Sequence, residues 1–188
     1  MGTRNFNSLI KTVLECGGEY GLYHSKRLIE IVNVIGRMQN YNKDIIIFCA
    51  YTHDLGGYPK YMKENVNHAT RSSEVVEQFF QGFSFTQEER EVIFETILNH
   101  HNPILLKSIE AILFRDADAI DFLGFMGIAR DFTRASNNIK KGIESIQAHR
   151  QKLPGILTLD SSKIIAEERI KEVDIFLNKF IDESFNHY

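Results

Sequence analysis

Seven histidines and nine aspartates are the residues of this 188-residue chain best suited to chemistry, and five of the histidines, His24, His53, His68, His100 and His101, fall in the first 101 positions of a sequence with no tryptophan. His53 and Asp54 are adjacent. With this composition about 0.3 such dipeptides are expected by chance, so adjacency alone carries little weight. Imidazole nitrogen with carboxylate oxygen suits Mn, Fe, Ni, Co or Zn better than an all-oxygen magnesium site. Neighbours on a helix point about 100° apart, so His53 and Asp54 reach one ion only if it lies beside a helix end. Further ligands must then come from other helices, and His24, His68, His100, His101 and Asp118 are the candidates at predicted helix ends or interior faces.

The elements that must position these residues are helical. Leu28, Ile31, Val32, Ile35 and Met38 recur at helical spacing and predict an amphipathic helix over about 24–39, with His24 near its start. Asn42 is the expected N-cap of DIIIFCAYTHDL, a segment apolar almost all round and hence a central buried helix, ended by Gly56, Gly57 and Pro59. Val75, Val76, Phe79 and Phe80 predict a helix over about 66–81 that begins near His68 and stops at Gly82. Thr86 and Glu89 have capping-box spacing ahead of a helix that carries His100 and His101 at its end, before Pro103. Residues from about 107 to 134 read as mostly helical, with Gly124 and Gly127 as points of close packing, and hold Asp116, Asp118 and Asp121. A break at LPG, 153–155, precedes a last amphipathic helix over about 162–183.

Composition agrees with an all-α fold. Glycine and proline total 15 residues, too few for a turn-rich all-β or disordered chain. The expectation is one domain over 1–188, a helical bundle with a metal site between helices, its motif core at about 20–134 and a helical cap at about 135–188. A net charge of −3 supplies no field for a long polyanion, so extended nucleic acid is not an expected partner. No apolar run approaches the roughly 20 residues of a membrane span, and the N-terminal segment has no leader pattern. Cys16 and Cys49 make no disulfide framework, as expected in the cytoplasm, and both read as buried apolar residues.

The order His24 followed by SKRL, then His53-Asp54, then RDADAIDFLG resembles the HD superfamily of metal-dependent phosphohydrolases over about residues 20–134. DADAIDFLGFMGIAR, with an HDLG loop and the following NHATRSSE, is similar to a bacterial subgroup of HD hydrolases. The resemblance implies that His24, His53, Asp54 and Asp118 bind one divalent ion, with Asp118 preferred to Asp116 because it follows the small Ala117. It also implies a place for His68, His100 and His101: ligands of a second ion, phosphate contacts or a general acid. Asp54 would both ligate and orient water. Asp116, Asp121 and Arg27 are expected to support the ligands, and Lys60 and Arg71 to clamp phosphate. His149 and His187, outside the motif, are expected to face solvent.

What the resemblance implies is hydrolysis of a phosphoester or phosphoanhydride by a metal-activated water, with nucleotides as the favoured small-molecule substrates. Two other classes stand beside it. One is a di-iron HD-fold oxygenase, for which the extra histidines would serve. The other is a nucleotide-binding regulatory module without turnover.

Overall fold

Asn42 begins the helix that matters most. Its side chain accepts from the Asp44 N–H at 3.0 Å, its own N–H donates to Glu110, and its amide donates to Glu89 at 2.8 Å. Arg4 reaches Asp44 at 2.9 Å and Glu89 at 3.2 Å, so one polar knot ties the start of this helix to three other segments of the chain. In the computed structural model, which describes residues 4–102, 104–185 and 187–188, the helices are α1 (Asn7–Ile35), α2 (Lys43–Thr52), α3 (His68–Val76), α4 (Gln87–Asn99), α5 (Ile109–Asp121), α6 (Gly124–Ala135), α7 (Ile139–Lys152) and α8 (Asp160–Ser184). Short 3-10 turns lie at Leu55–Gly57, Glu77–Gly82 and Leu153–Ile156. No strand occurs among the described residues, so the all-α expectation holds. Among them too, no helix is long and apolar enough to cross a membrane. Pro103 lies outside the described residues.

Two compact units divide the chain, one up to Arg115 and one from Asp116 onward. In the first, α2 is buried from Ile45 almost without interruption to Thr52, as its uniformly apolar sequence requires. Phe48 is the centre of an aromatic cluster, with ring centroids 5.6 Å from Phe80, 5.2 Å from Phe83 and 4.9 Å from Phe85. Each such pair is worth roughly 0.5–1.5 kcal/mol beyond area burial. The Thr86 and Glu89 capping box is present in full at the start of α4. In the second unit α6, α7 and α8 enclose Ile128, Ile143, Ile146, Val173 and Leu177, against which Phe132, Phe176 and Phe180 pack.

Several boundaries differ from the sequence expectation. The first helix starts at Asn7, 17 residues before His24, is interrupted at Gly18, and ends at Ile35, so exposed Met38 lies beyond it. The helix expected over 66–81 tightens into a 3-10 turn after Val76, where Phe80 enters the core. The stretch expected to run through 107–134 breaks at Phe122 and Leu123, because Gly124 adopts φ +70, a left-handed conformation that side-chain-bearing residues avoid. Gly127 is a point of close approach, since a Cβ there would lie 2.3 Å from the Phe122 carbonyl group. Cys49 is fully buried but Cys16 only partly so.

Candidate metal centre

The helix ends bring the histidines together. His53 directly follows α2, and its Nδ1 lies 3.2 Å from the carbonyl of Ala50, three residues back. His100 directly follows α4 and repeats the arrangement, with Nδ1 2.6 Å from the carbonyl of Ile97. A carbonyl only accepts, so each ring carries its proton on Nδ1 and turns the Nε2 lone pair inward. This is how the second nitrogen of a metal-ligating histidine is usually fixed. His24 comes from the middle of α1 and is buried. His68 is the first residue of α3, where the Asn67 side chain caps the helix by accepting from the Ala69 N–H at 2.8 Å.

All four rings turn Nε2 toward Asp54, and they divide between its two oxygens. His53 Nε2 is 3.4 Å and His24 Nε2 3.8 Å from Oδ2; His68 Nε2 is 3.7 Å and His100 Nε2 4.0 Å from Oδ1. On the first side the two nitrogens are 3.3 Å apart, and on the second 3.2 Å. Adjacent ligands on an ion with bonds near 2.1 Å stand about 3 Å apart, so both pairs have spacing that fits an ion and Asp54 faces both. His101 joins the second side: the ligand nitrogens of His68, His100 and His101 lie within 4.8 Å of one another, as do the ligand atoms of His53, Asp54 and His100. His24, His53 and His100 are buried, whereas a third of the His68 and Asp54 side chains reaches the surface, so the centre opens on that side. Burial pushes the Asp54 carboxyl up, but the imidazoles around it in their protonated form, His53 first and then His24 and His100, outweigh burial and hold the group well below the usual carboxylate range.

The loop after Asp54 is held by close backbone approach. A Cβ on Gly56 would lie 2.4 Å from the Ser72 nitrogen and 2.5 Å from the His68 carbonyl oxygen, and the Gly56 N–H donates to Ser72 Oγ at 2.8 Å. The residue type thus sets how near α3, and with it His68, can come to the His53-Asp54 pair. One contributor was not legible from motif order: Phe114, whose ring packs 5.1 Å from His53. Arg115, a cation next to the motif aspartates in sequence, donates to the carbonyls of Asn102 (3.0 Å) and Ile104 (2.7 Å).

The other expected site residues have identifiable places. Arg71 donates through Nε to the Tyr61 carbonyl at 2.6 Å and pairs with Glu74 at 2.8 Å, bracing the loop before α3. Lys60 is exposed near the Tyr61 ring, and a hydrogen bond with Tyr61 raises its pKa. Arg27 is half-buried on α1, one turn after His24. In the second unit Asp118 is buried on α5; Asp116 accepts the N–H groups of Thr158 and Leu159 at 2.9–3.1 Å; Asp121 forms a buried pair with Arg130. His187 is exposed. His149, expected in solvent, instead pairs through Nδ1 with buried Asp131 at 2.9 Å and packs 4.7 Å from the Phe122 ring, because α7 folds back onto α6.

Histidines gathered from four helix-borne positions around one aspartate define a class, the all-helical proteins whose clustered side chains could hold a metal ion. Within that class, the HD domain model matches residues 21–123, and the chain belongs to the HD-domain family. Solved structures share the fold. An HD-superfamily hydrolase from Bacillus thuringiensis is 21% identical with TM-score 0.73, covering 97% of each chain. A predicted HD superfamily hydrolase from an uncultured Thermotogales bacterium is 20% identical with TM-score 0.70, covering 96% of this chain and 94% of its own. Bacillus subtilis YpgQ in complex with ADP is 18% identical with TM-score 0.70, covering 95% and 97%. No curated protein matches the chain.

Proposed function

We propose that this protein is a metal-dependent phosphohydrolase acting on nucleotides, in which His24, His53, Asp54 and Asp118 hold a divalent ion. The observation that carries the reading is the convergence of Nε2 atoms on Asp54, with His24 and His53 on Oδ2. Asp118 is assigned from the family motif, and it follows Phe114, the residue against His53, by four positions on one helix and hence on the same face. That α5 runs unbroken from 109 to 121 favours treating residues 1–188 as one HD-like domain. The ADP bound by one structural neighbour supports a nucleotide substrate. The two free cysteines agree with a cytoplasmic setting.

Bound at this centre, a divalent ion of the Mn, Fe, Ni, Co or Zn type would supply charge for a phosphoryl oxygen and lower the pKa of a water toward neutrality. The chain's own residues do the rest. Asp54 keeps a carboxylate that accepts a hydrogen bond from the attacking water and orients it. Partly exposed His68, backed by His100 and His101, is placed to donate a proton or hydrogen bond to the departing group. Lys60 and Arg71, on the loop and helix that follow Asp54, are the cations assigned to phosphate, and Arg27, Asp116 and Asp121 brace the helices that bear the ligands.

A second metal position is favoured by one observation, the matching 3.2 Å pair of His68 and His100 with His101 beside it on the Oδ1 side of Asp54. The test is a screen of nucleotides and simple phosphoesters against several divalent ions, read by phosphate and pyrophosphate release, together with metal analysis after anaerobic purification. His53→Ala and Asp54→Ala should each abolish turnover and metal content while leaving the helical circular-dichroism signal in place. Hydrolysis surviving both substitutions refutes the mechanism. Two irons per chain with oxygen-dependent turnover identifies the oxygenase class instead, and tight nucleotide binding without product identifies the regulatory one.

A further inference from the structure

A second group of charged side chains lies wholly in the unit that begins at Asp116. Asp131, Arg134 and Ala135 form one stripe of α6, and Lys141, Ser145 and His149, at intervals of four, form one stripe of α7. The two stripes line a cleft of about 290 Å³. Asp131 is buried at its base and is fully engaged: Ser145 Oγ donates to Oδ1 at 2.8 Å and His149 Nδ1 donates to Oδ2 at 2.9 Å. Since a carboxylate only accepts, His149 carries its proton on Nδ1, and the ring edge bearing Nε2 points away from Asp131.

The cations around this base are differently placed. Arg134 and Lys141 are exposed, and neither forms an ion pair among the described residues. Arg134 lies 5.5 Å from the centre of the Phe122 ring, the same ring that packs against His149. Lys141 is in the first turn of α7, whose amino end adds positive potential. Asp131 is the one carboxylate on the lining, and with its oxygens turned to Ser145 and His149 the open face of the cleft presents a guanidinium, an ammonium and an imidazole edge.

We propose that this cleft binds a condensed phosphate, of the class of pyrophosphate. Guanidinium and ammonium donors facing one space recognise phosphate oxygens through charge-assisted hydrogen bonds. Lys141 and His149 stand about 12 Å apart along α7, a separation that two linked phosphate groups span better than one. Asp131 holds Nδ1 of His149, so the ring edge bearing Nε2 is the part left to meet the anion. Ser145 keeps Asp131 in place and gives its hydrogen to the carboxylate, so it is a positioning residue and not an anion donor. All of the cleft's lining residues belong to the unit from Asp116 onward, and the proposal does not depend on the reaction assigned to the histidine cluster.

The test uses the full chain stripped of metal with a chelator, titrated calorimetrically with pyrophosphate and separately with inorganic phosphate, with the His149 ring followed by NMR. One pyrophosphate per chain should bind, more tightly than phosphate, and shift the His149 ring signals. Arg134→Gln and Lys141→Gln, both at exposed positions that leave the core untouched, should each weaken binding about fivefold to tenfold, and the double substitution more. His53→Ala should leave pyrophosphate affinity within about twofold. Absence of binding at millimolar pyrophosphate, affinity indifferent to both cation substitutions, or loss of binding in His53→Ala would each overturn the proposal. Phosphate binding as tightly as pyrophosphate would overturn the assignment to a condensed phosphate.

Discussion

Replacing Gly56 by alanine puts the link between the HD loop and α3 to a direct test. The added Cβ would meet the Ser72 nitrogen at 2.4 Å and the His68 carbonyl oxygen at 2.5 Å, whereas ordinary contact begins near 3.4 Å. Neither partner is the movable end of a side chain. Both are backbone of α3, so relief requires the loop and the helix to separate by about 1 Å. Overpacking of this kind costs about 1–3 kcal/mol, and the 2.8 Å hydrogen bond from the Gly56 N–H to Ser72 Oγ is stretched as well. In a chain of this length each kcal/mol lowers Tm by about 2–4 °C, so a fall of roughly 2–12 °C is expected. His68 opens α3 and must move with it away from Asp54, from which its Nε2 now stands 3.7 Å. A displacement near 1 Å in a catalytic array can cost about 100-fold in rate. The assays are urea unfolding, histidine ring NMR and turnover with the substrate found in the nucleotide screen. A variant that keeps its unfolding midpoint and the His68 ring signals of the parent would refute the argument that Gly56 sets the spacing.

Two further outcomes follow from packing. Phe48→Ala should destabilise the fold by about 3–5 kcal/mol, because it empties the centre of the Phe80, Phe83 and Phe85 cluster; urea unfolding measures this, and a loss under 1 kcal/mol would show that the cluster closes over the gap. Burial pushes the Cys49 thiol well above its ordinary range while Cys16 is only partly covered, so a thiol reagent at pH 8 should titrate one cysteine in the native protein and two after unfolding. Rapid modification of Cys49 in the native state would contradict the packing around α2.

Local signals were readable where their physics is local. The Asn42 cap and the Thr86–Glu89 box involve residues two or three positions apart, so their hydrogen bonds follow from chain geometry alone. The burial of α2 was equally plain, because a segment apolar on every side has no stable place except a core. Helix ends were less legible: α3 tightens into a 3-10 turn after Val76, where Phe80 enters the core, and the chain breaks at Phe122 and Leu123 ahead of left-handed Gly124, and propensity is a weak guide there.

The candidate centre divides in the same way. The family resemblance carried by residue order singled out His24, His53, Asp54 and Asp118, and the helical pattern placed His68, His100 and His101 near helix ends. That His24 and His53 face one oxygen of Asp54 while His68 and His100 face the other depends on helices up to 76 residues apart in the chain, and no spacing rule carries that information. The Nδ1 bonds of His53 and His100 to carbonyls three residues back are local, yet which way each freed Nε2 then points was decided by packing. His149 is the sharpest case. As a lone histidine in a polar helix it read as solvated, and only the folding of α7 against α6 put it on Asp131. By itself, then, the sequence determined an all-helical chain carrying the HD-type motif residues, since short-range hydrogen bonds and amphipathic period are written in neighbouring residues. Tertiary structure decided the pairing of histidines across Asp54 and the second charged cleft, because burial and convergence are properties of segments distant in the chain that meet only on folding.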